Sequence, residues 1–162
     1  MAAGSTYTPI ATTTLGSAAA TITFSSISGS YTDLIIAGNG IASTDAGIDF
    51  QLNSDTGANY SFTYIYGDGS SVVSNRNSSS TVGSGGRIGI NGGVALLNFM
   101  NYSNTTTYKT IISRGSNADV LTIASVALWR NTNAITAITL KRGGGGNFST
   151  GSTFTLYGIA SA

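Results

Sequence analysis

The sequence of 162 residues contains no cysteine, no histidine and no glutamate, and it has one proline. Without cysteine there are no disulfides and no thiolate metal sites. Histidine, cysteine and glutamate are also side chains that enzymes use often for proton transfer, covalent attack and metal binding. The sequence therefore predicts a protein that is not an enzyme, that needs no cofactor and that carries no metal.

Charge is scarce as well. Only 8% of the residues are charged, against about 25% in an average soluble protein. The formal net charge of +1 gives no general attraction for nucleic acid or for an anionic membrane, and we expect neither as a partner. Because surface charges are the usual deterrent to association, their scarcity favours a permanent oligomer.

No targeting or membrane segment is visible in the sequence. The start, residues 1–14, has no basic region followed by a long apolar run, so it is unlike a secretory signal peptide. No stretch approaches the ~18 consecutive apolar residues of a membrane helix. We expect a product of the cytoplasm, either staying there or leaving as part of an assembled particle.

Serine, threonine, asparagine and glycine make up half of the residues, while hydrophobic residues make up 41%. The first group supplies turns and β-branched strand residues rather than helix formers, and the second suffices for a core. Short apolar runs between turn clusters predict about eight to ten strands in an antiparallel β-sandwich of jelly-roll type. We assign residues 20–162 to this single domain and residues 1–19 to a short N-terminal arm, either extended or an edge strand, because Pro9 is tolerated at edges.

Two neighbouring runs, 48–52 and 60–66, alternate with the period of two that is typical of strands. The second run places four aromatic side chains on one face: Tyr60, Phe62, Tyr64 and Tyr66. The turn-rich segment 53–57 between the runs predicts a β-hairpin. Residues 67–93 hold few apolar residues and are predicted as the longest loop, with short strands at most near Val72 and Ile88.

All six acidic residues are aspartates, and three of them, Asp45, Asp49 and Asp55, lie close together along the chain. Calcium sites need several converging oxygen ligands, but the EF-hand spacing is absent. The other interpretation is that these aspartates cap turns by accepting hydrogen bonds from backbone amides. Neither a carboxylate pair for hydrolysis nor a serine with a nearby base is indicated.

The C-terminal segment 126–162, VALWRNTNAITAITLKRGGGGNFSTGSTFTLYGIASA, resembles the closing strands of a family of tailed-bacteriophage virion proteins. In that family a strand ending in Trp is followed by an Asn/Thr turn, an Ala-Ile-Thr-x-Ile strand, a glycine-rich loop and a terminal Gly-Ser-x-Phe-x-Leu-Tyr-Gly-Ile strand. The matching positions here are Trp129, 131–133, 134–140, 143–146 and 151–159. Residues 49–61 and 101–110 are also similar to family segments.

This resemblance implies a jelly-roll module on the outside of a phage particle, commonly trimeric and without catalytic residues. We expect a capsid decoration (cement) protein on the outer capsid surface of the virion, assembled in the host cytoplasm. Its partners would be two further copies of itself and the major capsid protein, whose capsomer contacts it would stabilise by mass action. Only residues 1–19 precede the first predicted strand, which favours this role over a fibre with an N-terminal stalk.

Two alternatives stay open. The first is a tail or fibre-tip protein that binds a host surface glycan through the long loop 67–93. The second is an aspartate-based glycan hydrolase.

Ten residues are candidates for the expected interfaces. They come from the N-terminal arm, from large aromatic anchors, from the cations before the glycine-rich loop and from the closing strand. That strand is apolar on both faces, so it is either central in the sandwich or buried between subunits. The candidates are Tyr7, Pro9, Ile10, Trp129, Arg130, Lys141, Arg142, Phe154, Leu156 and Tyr157.

Overall fold

The computed structural model describes residues 6–117 and 119–160, and these ranges form twelve β-strands without a helix. The strands are β1 Tyr7–Thr14, β2 Thr21–Phe24, β3 Asp33–Gly40, β4 Ala46–Leu52, β5 Tyr60–Gly67, β6 Val72–Ser80, β7 Gly83–Ile88, β8 Gly93–Phe99, β9 Lys109–Asn117, β10 Leu121–Trp129, β11 Ile138–Arg142 and β12 Thr153–Ile159. The all-β prediction is confirmed. The strand number is higher than the eight to ten predicted.

The strands form two antiparallel sheets packed face to face. The larger sheet has eight strands in the order β1-β12-β3-β8-β9-β10-β5-β6, and the smaller has four in the order β2-β11-β4-β7. Strands that are consecutive in sequence often lie in different sheets, which is compatible with a jelly-roll sandwich. The predicted antiparallel β-sandwich is therefore confirmed.

The core lies between the sheets and follows directly from the period of two along the strands. In β4 the side chains of Ile48, Phe50 and Leu52 are fully buried. Their aromatic and aliphatic partners come from the larger sheet, where the Phe50 and Phe99 ring centroids are 5.7 Å apart. Together these side chains belong to one contiguous cluster of 24 buried residues. This core holds the two sheets together.

Two local predictions were wrong. Segment 53–57 closes no hairpin, because β4 pairs with β7 and β11 whereas β5 pairs with β6 and β10. Residues 67–93 are also mainly strand and not mainly loop: the strands predicted near Val72 and Ile88 are present, but as β6 and β7 they occupy most of that range. Their polar and glycine-rich composition concealed the length of both strands: β6 is an exposed edge, and β7 packs so closely at Gly83, Gly85 and Gly86 that no larger side chain fits at these three positions.

The described part of the N-terminal segment adopts the edge-strand alternative. β1 pairs with β12 of the same chain, with Tyr7 opposite Ile159 and Thr14 opposite Thr153. Pro9 lies in this edge strand, where its missing N–H leaves no gap in a central ladder. Residues 1–5 of the predicted arm lie outside the described ranges.

At β7 the two sheets approach each other through small residues. The hydroxyl oxygens of Ser113 and Ser125 are 2.6 Å apart, and each hydroxyl lies 3.1 Å from the carbonyl oxygen of Ser84 as a donor to it. Next to them, a Cβ on Gly115 would stand only 3.0 Å from the Cα of Gly86. This glycine–serine seam closes one side of the sandwich.

Candidate functional site

Three of the ten predicted interface residues lie inside the core. Trp129 is 1% exposed, and Phe154 and Leu156 are fully buried. The Trp129 indole stacks on Tyr60 with ring centroids 6.4 Å apart and donates a hydrogen bond to Asp55 Oδ2 at 2.7 Å. β10 and β12 turn these three positions toward the smaller sheet, so within the chain they pack in the core and not at the surface predicted to contact a partner.

The three predicted cationic contacts are engaged within the chain. Arg130 donates to the carbonyl oxygens of Ala58 and Tyr60, at 2.8 and 3.2 Å. Lys141 Nζ lies 3.0 Å from Gln51 Oε1. Arg142 donates to Thr44 and to the carbonyl of Gly145, which orders the glycine-rich turn. The structure does not bring these cations together with the other candidates.

The remaining four candidates lie on or beside β1 at the surface. Tyr7, Pro9 and Ile10 are exposed, and Tyr157 is half-buried. The rings of Tyr7 and Tyr157 meet edge to face with centroids 6.4 Å apart. Pro9 is paired with Tyr157, and the side chains of these two residues lie on the face of the larger sheet that points away from the smaller sheet. We call this face the outer face.

The outer face carries an uncharged row across seven strands. Pairing register aligns the following residues from β1 to β5: Pro9, Tyr157, Ile35, Asn98, Ile112, Val126 and Thr63. Ile112 and Val126, at its centre, are 47% and 50% exposed, and Ile65 beside them is 50% exposed. Large apolar side chains are thus exposed to solvent next to each other, on the face of the larger sheet that the smaller sheet does not cover.

The aspartates that the sequence grouped together have separate surroundings. Asp55 Oδ1 accepts hydrogen bonds from the Gly57 amide and the Asn59 side chain, and Asp45 accepts one from Asn117. No group of three or more acidic side chains able to hold a metal ion occurs within residues 6–117 and 119–160. For Asp55 the turn-capping interpretation is confirmed. Burial raises the pKa of Asp55, but the hydrogen bonds from Trp129, Asn59 and Gly57 outweigh it and lower the pKa overall.

A cleft of about 200 Å³ opens where the smaller sheet ends at β7. One wall is formed by the β5 rings of Phe62, Tyr64 and Tyr66, which stack along the strand with centroids 6.2 and 6.1 Å apart. The stacked aromatic face predicted from the sequence is therefore confirmed. The opposite wall carries Asp49 and Arg87. We call this the aromatic cleft; it is lined by Gly47, Asp49, Phe62, Tyr64, Tyr66, Ser84, Gly86, Arg87, Leu121 and Ile123.

The polar groups of the aromatic cleft are poorly compensated. Burial raises the pKa of Asp49 to about 6, and the nearby charge of Lys141 offsets only part of this rise. The Nε atom of Arg87 is buried and has no hydrogen-bond partner among the described residues. Burying such groups unpaired costs free energy, so the cleft combines an apolar wall with two charged groups that are only weakly satisfied.

Replacing Asp49 by asparagine is expected to stabilise the fold at neutral pH. The carboxyl pKa is about 6 in the folded chain, against an ordinary value of 3.8 for an aspartate, so the folded state holds this proton more tightly. The contribution of Asp49 to stability is thus present below pH 3.8 and is lost as the pH rises to 6. Allowing for solvent screening, we expect Asp49→Asn to raise the free energy of unfolding at pH 7.5 by about 1–2 kcal/mol, measured by urea denaturation.

Asp68→Asn is the matched control for this prediction. The amides of Ser71 and Ser70 bind the Asp68 carboxylate and lower its pKa, so its stabilising contribution is present above the ordinary carboxyl pKa and is lost at acid pH. Its loss at pH 7.5 should destabilise rather than stabilise. Unchanged stability of Asp49→Asn at pH 7.5 would show that Asp49 is not desolvated.

Sequence reasoning found one wall of the aromatic cleft and missed the other. The alternation of aromatic residues along β5 was recognised in the sequence. Arg87, however, lay in a segment predicted as loop, and Asp49 was grouped with Asp45 and Asp55, which do not line the cleft. The one available signal was an arginine and an aspartate each flanked by glycine or apolar residues. That signal does not reveal that β4 and β7 pair.

Comparisons with known proteins add little beyond the fold. No model of a protein family matches the chain, and no curated protein matches it either. Among solved structures, galectin LEC-6 of Caenorhabditis elegans is similar with a TM-score of 0.37 and 8% identity, over 90% of this chain and 94% of that one. CG-16, a homodimeric agglutinin from chicken liver, has a TM-score of 0.32 and 11% identity, over 83% and 98%. At these values the likeness concerns the fold alone. Within the described ranges no helix is long and apolar enough to cross a membrane.

Proposed function

We propose that the chain is a structural protein of a tailed-phage virion: a capsid decoration (cement) protein that forms a homotrimer on the outer shell and stabilises contacts between capsomers. The observation that carries this proposal is the uncharged row of the outer face, with Ile112 and Val126 half-exposed at its centre. Contiguous exposed apolar surface marks interaction sites. The similarity of segment 126–162 to phage virion proteins is the reason for proposing that the particle is a tailed phage.

The outer face fits other copies of this chain better than a charged partner. The row from Pro9 to Thr63 contains no charged side chain, although cations flank it. Arg76 stands opposite Thr63 on β6, and Arg114 is exposed two residues from Ile112 on β9. Burying this apolar face between subunits removes apolar area from water, which is favourable in proportion to that area. The mechanical role follows, since a trimer that binds only the assembled shell stabilises that shell by mass action.

The expected oligomer gives a direct test. Light scattering of the purified protein at micromolar concentration should give the mass of three chains of 16.4 kDa each. Ile112→Asp places a charge at the centre of the row and should yield monomers with unchanged circular dichroism. Thr23→Asp, at an exposed position of β2 in the smaller sheet, is the matched control and should remain trimeric.

The location on the particle is tested by a cryo-electron microscopy reconstruction of the phage that carries this chain. We expect density for the sandwich in threefold clusters on the outer shell. Density at the tail alone would overturn the decoration role and favour the tail or fibre-tip alternative. A trimer that Ile112→Asp does not dissociate would show that the outer face is not the subunit contact.

A further inference from the structure

The aromatic cleft stands out because its polar side chains lack partners within the chain. Among the described residues Asp49 accepts no hydrogen bond, Arg87 donates none from its side chain, and the hydroxyls of Tyr64 and Tyr66 make none. The two opposite charges line one cleft and still form no ion pair with each other. Buried polar groups in folded proteins are nearly always paired, so the buried and unpaired Nε of Arg87, beside a half-buried carboxylate and two half-buried tyrosines without partners, indicates a ligand.

Elsewhere the chain pairs most such groups within itself, and the Nε atom of Arg142 is an exception among the described residues. The Asp55 carboxylate is bound by Trp129 and Asn59, and Lys109 Nζ donates to the carbonyls of Thr107 and Thr132 at 2.8 and 2.9 Å. General scarcity of hydrogen-bond partners therefore does not explain the cleft. Asp49 and Arg87 are held apart by the β4–β7 pairing, in which Arg87 stands opposite Gly47 and Asp49 opposite Ser84.

The chemistry of the walls narrows the class of ligand. Asp49 disfavours a free anion, although the charge of Lys141 opposite it on β11 weakens this effect, and Arg87 disfavours a free cation. A purely apolar ligand would leave both charges desolvated and unpaired, which is costly. The ligand must therefore be neutral and rich in hydroxyl groups, with an apolar side to contact the rings of Phe62, Tyr64 and Tyr66.

A carbohydrate ring meets these conditions. Its hydroxyls donate to a carboxylate and accept from a guanidinium, whose N–H groups form a fork, and its C–H groups pack on aromatic rings. The cleft of about 200 Å³ is smaller than the ~300–1,000 Å³ of sites for drug-sized molecules. Its size suits a single sugar residue, such as a chain end or a branch.

We propose that the aromatic cleft binds one residue of a neutral carbohydrate, with Asp49 and Arg87 holding its hydroxyls and the β5 rings contacting its C–H groups. This site is separate from the outer face: it lies on the side of the larger sheet that faces β7, and its use does not depend on where the protein sits on the virion. It overlaps only in part with the segment 67–93 that the sequence indicated for glycan contact: Arg87 belongs to that segment, whereas Asp49 and the β5 rings do not.

The test is binding of the full chain to an array of neutral and acidic oligosaccharides, followed by NMR titration with free glucose, galactose, mannose and N-acetylglucosamine. We expect at least one neutral sugar to bind and to shift the amide signals of β4, β5 and β7. Asp49→Asn and Arg87→Gln should each weaken the binding about tenfold or more, equivalent to losing a hydrogen bond to a charged group. Asp49→Asn is informative because it is expected to fold more stably than the parent chain.

Two control variants show whether a loss of binding is specific to the cleft. Tyr108→Phe alters an exposed tyrosine outside the cleft, and Asp119→Asn alters an exposed aspartate; both should bind as the parent chain does. No binding of any neutral sugar up to about 10 mM, a limit near the weakest useful affinities, would overturn the proposal. Binding of acidic glycans alone, or binding that both cleft variants leave intact, would overturn it as well.

Discussion

Trp129→Ala should lower the free energy of unfolding by about 3–5 kcal/mol, the usual cost of emptying a buried aromatic site. The side chain is 1% exposed, so truncation leaves a cavity between the sheets. The substitution also removes the indole donor from Asp55, which then accepts hydrogen bonds from Asn59 and Gly57 alone. Both losses act on the same corner of the sandwich, where β5 and β10 pair.

Circular dichroism during chemical denaturation is the suitable measurement, because Trp129 is the one tryptophan of the chain and its fluorescence is lost in the variant. Ile90→Ala is the control, since Ile90 is 61% exposed and lies outside the outer-face row, and surface truncations usually change stability by less than about 0.5 kcal/mol. A Trp129→Ala protein as stable as the parent would contradict the core position. Loss of the trimer with unchanged monomer stability would restore Trp129 as an interface residue.

Gly115→Val is the second substitution with a large expected effect. A Cβ at this position would lie 2.9 Å from the Arg87 backbone nitrogen and 3.0 Å from the Gly86 Cα. These are backbone atoms of the opposite sheet, so no side chain can rotate away and the seam must open. We expect a loss of about 1–3 kcal/mol or more, as is typical of overpacked cores.

Thermal and urea unfolding measure this loss, and Gly16→Val is the matched control. A Cβ on Gly16 meets nothing within 4 Å, so the same substitution there should leave stability almost unchanged. Equal effects at both positions would show that the seam is not tightly packed. Because Gly86 and Arg87 also line the aromatic cleft, Gly115→Val should weaken sugar binding as well.

The fold class could be read from the sequence because it depends on local preferences. Alternation in β4 and β5 identified both strands and the aromatic face of β5, and the turn residues identified most connections. The same local signals failed at β6 and β7. An edge strand does not need apolar residues, and a strand packed at the closest sheet-to-sheet distance excludes them, so neither strand shows the usual pattern.

The candidate sites depended on tertiary structure to a greater extent. Nothing in the sequence distinguishes the buried Trp129 from an exposed anchor, because both choices are aromatic residues at the end of an apolar strand. Likewise, Asp49 and Asp55 are close in sequence, but one faces the aromatic cleft and the other caps a turn under Trp129. The packing of the other sheet decides which face of a strand is buried. The alternation of residues along the strand does not by itself show which face that is.

By itself, the sequence determined an all-β, weakly charged chain without histidine, cysteine or glutamate, and it favoured recognition over catalysis. The tertiary structure decided which apolar residues remain exposed and which charges remain unpaired. An eight-stranded sheet is wider than the four-stranded sheet that covers it, so part of its inner face borders the aromatic cleft. Its outer face has no partner within residues 6–117 and 119–160. These two surfaces arise from pairing between distant strands, and such long-range contacts are not encoded in any local pattern.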